Sequence, residues 1–518
     1  MGNEKLRSCI VTRALFVLVT LAMLAAGFFV FPAHACGSIA AGQLNTEKVT
    51  PQAAEKTGRI ESNTNEAFET ALRLIGINNP VKKAVFRIAM FILLTFAAYR
   101  TAKDPVEGLM WLAGSTCFDV VGRIARFSGN NFITAYQVLM MVFCFCHGIR
   151  FLKEKKYFYL SEIPFIKWGV LFVIIMGGSL LYTSNLRVAI VDFVRICMLC
   201  MVLSITAGIK ISEKDMEKLT NFFILTGVFN VLLVAYQYST GNLVVTCARI
   251  GISPVIPFII RAAGFFYDPN KFAVFLAACM LILASHMLIE KKKVIYVVLL
   301  IMQAGVLFMT FSRSAWIAVL SGMLIILLNG KNPARKIILF FSGLAIITGM
   351  MAVMPGTGKF LRKRIESLTV SSHASPGNII RVNMAKSAIK MFLEQPFGVG
   401  WRGFPVTYPK YIIPGTPKAG KTGAEHMITE SHSLPFTVIA ELGIQGMVVL
   451  VIILFYLSKF IFNGLREIDY GRAMFCGIAG VITAFMVDFC FYSDMFDNIF
   501  WIFLGLLIAV GNGVKNES

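Results

Sequence analysis

The chain has 518 residues, of which 57% are hydrophobic and 15% charged, and its formal net charge is +21. That balance excludes a soluble globule and fits a multi-pass membrane protein, because apolar runs of about 18 residues or more recur along it. Lys and Arg gather in the short connections, where they orient the chain under the positive-inside rule; contact with anionic membrane lipids is the sharper reading, and no nucleic-acid partner is expected.

In chain order, Lys5, Arg7 and Arg13 precede an apolar run ending near Phe31, and Ala33-His34-Ala35-Cys36 offers a small-x-small cleavage pattern. Residues 1–35 therefore read as a signal peptide or an uncut N-terminal anchor, and residues 36–83 as an external polar segment with little periodicity. Residues 84–354 are expected to form a transmembrane helix bundle, 355–433 one large external loop, and 434–518 a C-terminal group of transmembrane helices. The fold class is thus all-α and polytopic, with about 12–14 transmembrane helices. Placing Lys153–Lys156, Ser212–Lys218, Lys291–Lys293, Lys331–Lys336 and Ser458–Arg466 inside makes the spans alternate, provided that the weak apolar stretch 107–122 also crosses. The segment 239–271 and the large loop then face outward.

Eleven cysteines raise the question of a metal or disulfide framework. Most lie within apolar runs, as in Cys197-Met-Leu-Cys200, where cysteine behaves as a small hydrophobe, so no metal site is expected. Asp192 and Arg195, three apart on one helix face, read as a structural pair.

Three outward pieces carry the chemistry. The first is Arg261-Ala-Ala-Gly264-Phe-Phe-Tyr-Asp268-Pro-Asn270, in which Asp-Pro-Asn forms a turn and Asn270 is expected to cap the next helix. Arg261 is either an interfacial anchor snorkelling to water or a guanidinium that forks onto phosphate oxygens. The second is Phe311-Ser312-Arg313-Ser314, a tight hairpin between two apolar runs. Positive charge is disfavoured outside, so Arg313 there points to function. The third is the large loop, which carries His373, Arg381, His426 and His432 among several aromatic residues. Apolar residues three and four apart after Arg381 suggest an amphipathic helix on the membrane surface, ended by Gln395-Pro-Phe-Gly-Val-Gly400. His432 closes the loop beside the membrane and is best explained as a base. Glu441, inside the next apolar run, must be paired or face water, either orienting a neighbour or pairing with a cation from another helix.

These pieces together resemble the O-antigen ligase and O-antigen polymerase family of bacterial envelope glycosyltransferases. The resemblance rests on Arg261-x-x-Gly264-x-x-x-Asp268-Pro-Asn270, Ser312-Arg313-Ser314, Arg381 followed by Pro396-Phe-Gly-Val-Gly400, and His432 followed by Glu441-x-Gly443-x-x-Gly446. It covers about residues 160–510. The family usually shows His-Asn where this chain has His432-Ser433. The resemblance implies a type-C-like, metal-independent membrane glycosyltransferase without cofactor, at the outer face of the bacterial inner membrane. Its donor would be a glycan on undecaprenyl diphosphate, and its acceptor another glycan, a lipid A-core sugar or a protein; a chain-length regulator stays open as a further partner. Arg313 and Arg381 would stabilise the leaving diphosphate, with Arg261 as a third clamp, Asn270 and Glu441 as substrate-binding residues, and His432 as the base. The rival reading is a transporter or flippase of lipid-linked glycans. Transporters tend to show internal repeats and polar groups at mid-membrane. Here no half-length repeat is visible and the polar candidates gather at one face.

Overall fold

The structure is a computed structural model and describes residues 80–119, 123–128, 131–154, 160, 162–240, 249–250, 259–266, 268–289, 294–329, 376–413, 431–467, 472–491 and 497–513. Helices α1 (Pro80–Lys103) and α2 (Pro105–Thr116) lead to a short ribbon of β1 (Arg123–Ser128) and β2 (Asn131–Thr134). Then come α3 (Ala135–Lys153), α4 (Pro164–Ser179), α5 (Leu186–Ala207) and α6 (Glu213–Thr240). A second small ribbon, β3 (Arg249–Ile250) with β4 (Ile259–Ile260), precedes α7 (Pro269–Ile289), α8 (Val294–Met309) and α9 (Arg313–Asn329). The last group is α10 (Pro376–Glu394), α11 (Leu434–Glu441), α12 (Gly443–Glu467), α13 (Arg472–Phe489) and α14 (Asn498–Gly513).

Helices α3, α5, α6, α7 and α12 are long and apolar enough to cross a membrane, and α4, α8, α9, α13 and α14 are shorter apolar helices. The protein is an all-α polytopic membrane protein. The N-terminal run, the apolar run at 337–354, His373 and His426 lie outside the described residues.

The helices follow from long runs rich in Leu, Ile, Val, Phe and Ala, and polar side chains within them bond back to their own helix, as Thr226 Oγ1 does to Phe222 O at 2.7 Å. Asp-Pro pairs mark two of the starts. Asp104 accepts from Val106 N at 2.8 Å at the head of α2, and Asp268 accepts from Asn270 N at 2.8 Å at the head of α7. The cap of α7 is therefore Asp268 and not Asn270, because the carboxylate precedes the first helical residue and proline fills a position that needs no N–H.

Helix α7 is the axis of the bundle. Its stretch Pro269–Met287 is 83% buried among α6, α8, α9 and α13. Close approach of α9 and α13 depends on Gly322, where a Cβ would stand 2.5 Å from the Gly480 carbonyl oxygen. By contrast, α12 exposes Ile444, Val448, Val451 and Phe455, and α1 exposes Val85, Ile88, Phe91 and Ile92. Such faces suit hydrocarbon, not water.

The bundle has two distinct ends. At one, Ser285 Oγ donates to Ala473 O at 2.5 Å and His147 Nε2 meets Thr101 O at 2.6 Å. Helix α2 leaves this end beside the Arg100–Glu107 ion pair. Its 12 residues rise only about 18 Å. Just beyond it, Phe118 stacks on Phe265 at 6.0 Å, which places the end of α2 against the segment that precedes α7.

Candidate active site

The first layer of the site is the hairpin between α8 and α9. Met309 O accepts Ala262 N at 2.9 Å, so the segment before α7 runs alongside the end of α8. Arg261 Nε donates to Thr310 O at 2.6 Å, and its Nη2 donates to Asn270 Oδ1 at 2.8 Å. Three separate stretches of sequence thus meet: Arg261, the Asp268-Pro-Asn270 turn, and Thr310 leading into Ser312-Arg313-Ser314. Arg313 begins α9 and is half-buried. Ser314 hydrogen-bonds Asp488 at the end of α13, and Arg381 of α10 acts on that carboxylate electrostatically. Arg261, Asn270, Arg313 and Arg381 therefore border one region.

The second layer is the large loop, which has its own core. Met384, Ala388 and Met391 of α10 pack against Phe404, Tyr408 and Ala440. The apolar face of α10 is filled by the loop itself, while Arg381, Val382, Ile389 and Leu393 remain exposed. Ser387 Oγ donates to Tyr411 O at 2.7 Å. The Tyr411 hydroxyl donates to Glu394 at 2.7 Å, which holds that phenol above its usual range. His432 stands two residues before α11, which packs on α10, so the loop core joins the elements that carry Arg381 and His432.

A turn at residues 396–404 fastens this loop to the bundle. Glu441 is 1% exposed, and its carboxylate accepts Arg402 N at 2.9 Å and Phe404 N at 3.2 Å. Trp401 N donates to Ser179 Oγ at 3.0 Å, and Thr183 Oγ1 donates to Trp401 O at 2.7 Å. Helix α11 breaks at Gly443, whose φ is 66° and whose Cβ would lie 2.3 Å from Pro396 O. Only glycine fits there, so the Pro-Phe-Gly and Glu-Leu-Gly stretches are two halves of one interlock. The structure gives Glu441 a clamp on loop backbone, the orienting role that its sequence position left open.

Arg402 is the residue that sequence reasoning missed. It forms a buried ion pair with Asp192 of α5. The Asp192 carboxylate thus meets a cation from the loop, in addition to having Arg195 on its own helix. The available signal was a carboxylate in an apolar run, which demands a cation from another element. Removing one partner of such a pair strands the other charge, so Asp192→Ala is expected to cost about 3–5 kcal/mol. The check is the melting temperature of the purified protein in detergent; an unchanged value would remove this clamp from the account.

Backbone conformation marks the same region. Among the described residues, the non-glycine residues with left-handed backbone are Phe311 (φ 52°), Arg402 (φ 58°) and His432 (φ 56°). Each such residue costs about 1–3 kcal/mol, and strain of this kind gathers at functional sites. The sequence between α8 and the first turns of α12 is also what comparison with known proteins picks out.

Residues 295–451 match the O-antigen ligase family. This match supports glycan transfer of the O-antigen ligase and polymerase type in general. No curated protein matches the chain. The ligase-type stretch contains Arg313, Arg381, His432 and Glu441, whereas Arg261 and Asn270 precede it and join it through Thr310.

Proposed function

We propose that the protein transfers a glycan from undecaprenyl diphosphate to a glycan acceptor at the outer face of the bacterial inner membrane, as an O-antigen or exopolysaccharide polymerase or an O-antigen ligase. The observation that carries this reading is the meeting of Arg261, Asn270 and the Ser312-Arg313-Ser314 hairpin at the end of the bundle where α10 brings Arg381. An outward site is supported by Lys153 at the end of α3 and Lys218 in the first turns of α6, helix ends that the positive-inside rule places on the other side.

In the proposed step an acceptor hydroxyl attacks the anomeric carbon of the donor. The new C–O bond forms as the bond to diphosphate breaks, and the electron pair leaves with the lipid diphosphate. Direct attack inverts the anomeric centre. Arg313 and Arg381 stabilise the charge growing on the leaving group, with Arg261 as a third clamp held by Thr310 and Asn270. His432 accepts the proton of the attacking hydroxyl, because an imidazole changes charge near neutral pH. In this reading the arginines do the work that a divalent cation does in other diphosphate-dependent transferases, and the helical bundle with its large external loop, residues 355–433, is a type-C-like scaffold.

Deleting the gene and sizing the envelope glycans tests the reading. Loss of long chains while single repeats still reach their final acceptor means polymerase. Full-length chains accumulating on undecaprenyl diphosphate mean ligase. An unchanged profile contradicts both and returns the protein to the transporter class.

A further inference from the structure

Behind the arginines lies a cleft between the start of α7, the end of α13 and the start of α14. It is lined by Asn270, Lys271, Phe485, Asp488, Phe489 and Asp497. Asp488 is 4% exposed, and its Oδ1 is buried with no hydrogen-bond partner among the described residues, while Ser314 serves the carboxylate. Asp497 accepts Ile499 N at 2.9 Å and so is held at the head of α14. Asp268 is also near enough to act on Asp488 electrostatically. A buried acceptor that none of the described residues satisfies calls for an explanation.

The chemistry of the lining narrows what the cleft takes. Asp488 and Asp497 in the lining outnumber its cation, Lys271, and Asp268 lies close by, which disfavours a phosphate group there and leaves the lipid diphosphate to the arginine side. Among the described residues, no three acidic side chains, histidines or cysteines are spaced to hold a metal ion. Carboxylate oxygens accept from hydroxyl groups, and the buried Phe485 and Phe489 rings close the apolar floor of the cleft. We propose that this cleft is the subsite for the acceptor sugar, with Asp488 accepting a hydrogen bond from one of its hydroxyls and Asp497 and Asn270 flanking it. Asn270 links the two halves of the site, since Arg261 binds the oxygen of its amide.

The inference rests on the glycan-transfer reading, and one assay separates the two. Purified protein in lipid nanodiscs receives an undecaprenyl diphosphate-linked oligosaccharide and, as acceptor, a second lipid-linked oligosaccharide with a distinguishable label. Wild type, Asp488→Asn and Asp488→Ala are compared at varied donor and varied acceptor. The expected result for Asp488→Ala is a KM for the acceptor raised about tenfold or more with the donor KM unchanged, because a site built to bind a hydroxyl loses its partner. Asp488→Asn keeps the shape and one acceptor oxygen and should fall between, which guards against a folding defect in the alanine variant. An unchanged acceptor KM in both variants, or equal changes for donor and acceptor, overturns the subsite while leaving the transferase reading intact. Absence of transfer by the wild type overturns the transferase reading itself.

Discussion

His432→Ala is expected to lower kcat for glycan transfer by about 10²–10⁴-fold, the usual contribution of a positioned general base, while the protein accumulates in the membrane at the wild-type level. The side chain is half-buried and belongs to the turn before α11, so its removal leaves no large cavity in the bundle core. The backbone at His432 is left-handed, with φ of 56°, and an alanine there is at least as strained as the histidine. His432→Gly therefore serves as the companion variant. Glycine suits that backbone, so a glycine variant that is more stable yet equally inactive assigns the loss to the missing imidazole. Recovery of activity in the glycine variant would assign it to strain instead, and the base would have to be sought elsewhere.

Arg381→Ala and Arg313→Ala should each lower kcat by about 10²–10³-fold, the range for removing one group that stabilises developing negative charge. The two differ in what else they disturb. Arg381 is exposed on α10, outside the loop core of Met384, Ala388 and Met391, so its loss should leave the fold unchanged. Arg313 opens α9 beside the buried Ser312, so its replacement also touches the hairpin. Lysine separates charge from geometry. A guanidinium presents a planar fork that matches two phosphate oxygens, whereas an ammonium is a point charge. Arg381→Lys is therefore expected to recover part of the lost kcat, leaving it at least several-fold below wild type. Full recovery would show that only charge matters at this position, and wild-type kinetics for Arg381→Ala would remove it from the site.

Much of this was legible from residue order, and the reasons are physical. Runs of Leu, Ile, Val and Phe specify helices wherever hydrocarbon forbids any other backbone. An arginine in a tight hairpin expected on the outer side stood out because orientation rules disfavour it there, and the structure ties that hairpin to Arg261 through Thr310. What escaped was pairing across long separations. Nothing local distinguishes Arg402 from any surface arginine after a Gly-Val-Gly-Trp turn; its burial depends on Asp192, more than two hundred residues earlier. Asp488 sat inside an apolar run and gave the signal that any intramembrane carboxylate gives, but its neighbours Asn270 and Asp497 come from other helices. The cap of α7 went to Asp268 instead of Asn270 because the side chain next to proline on its N-terminal side reaches the first orphan N–H groups. Asn270, released from that task, meets Arg261.

The central claim is direct transfer driven by His432 within this arginine cluster, and it is tested most directly in the reconstituted system. Wild type and His432→Ala would be incubated in nanodiscs with an undecaprenyl diphosphate-linked oligosaccharide and acceptor. Release of undecaprenyl diphosphate would be followed by mass spectrometry and the new linkage by nuclear magnetic resonance. The expected result is one undecaprenyl diphosphate per linkage formed by the wild type, an inverted anomeric configuration, and neither product from His432→Ala. Retained configuration, or equal release by both proteins, would contradict the account.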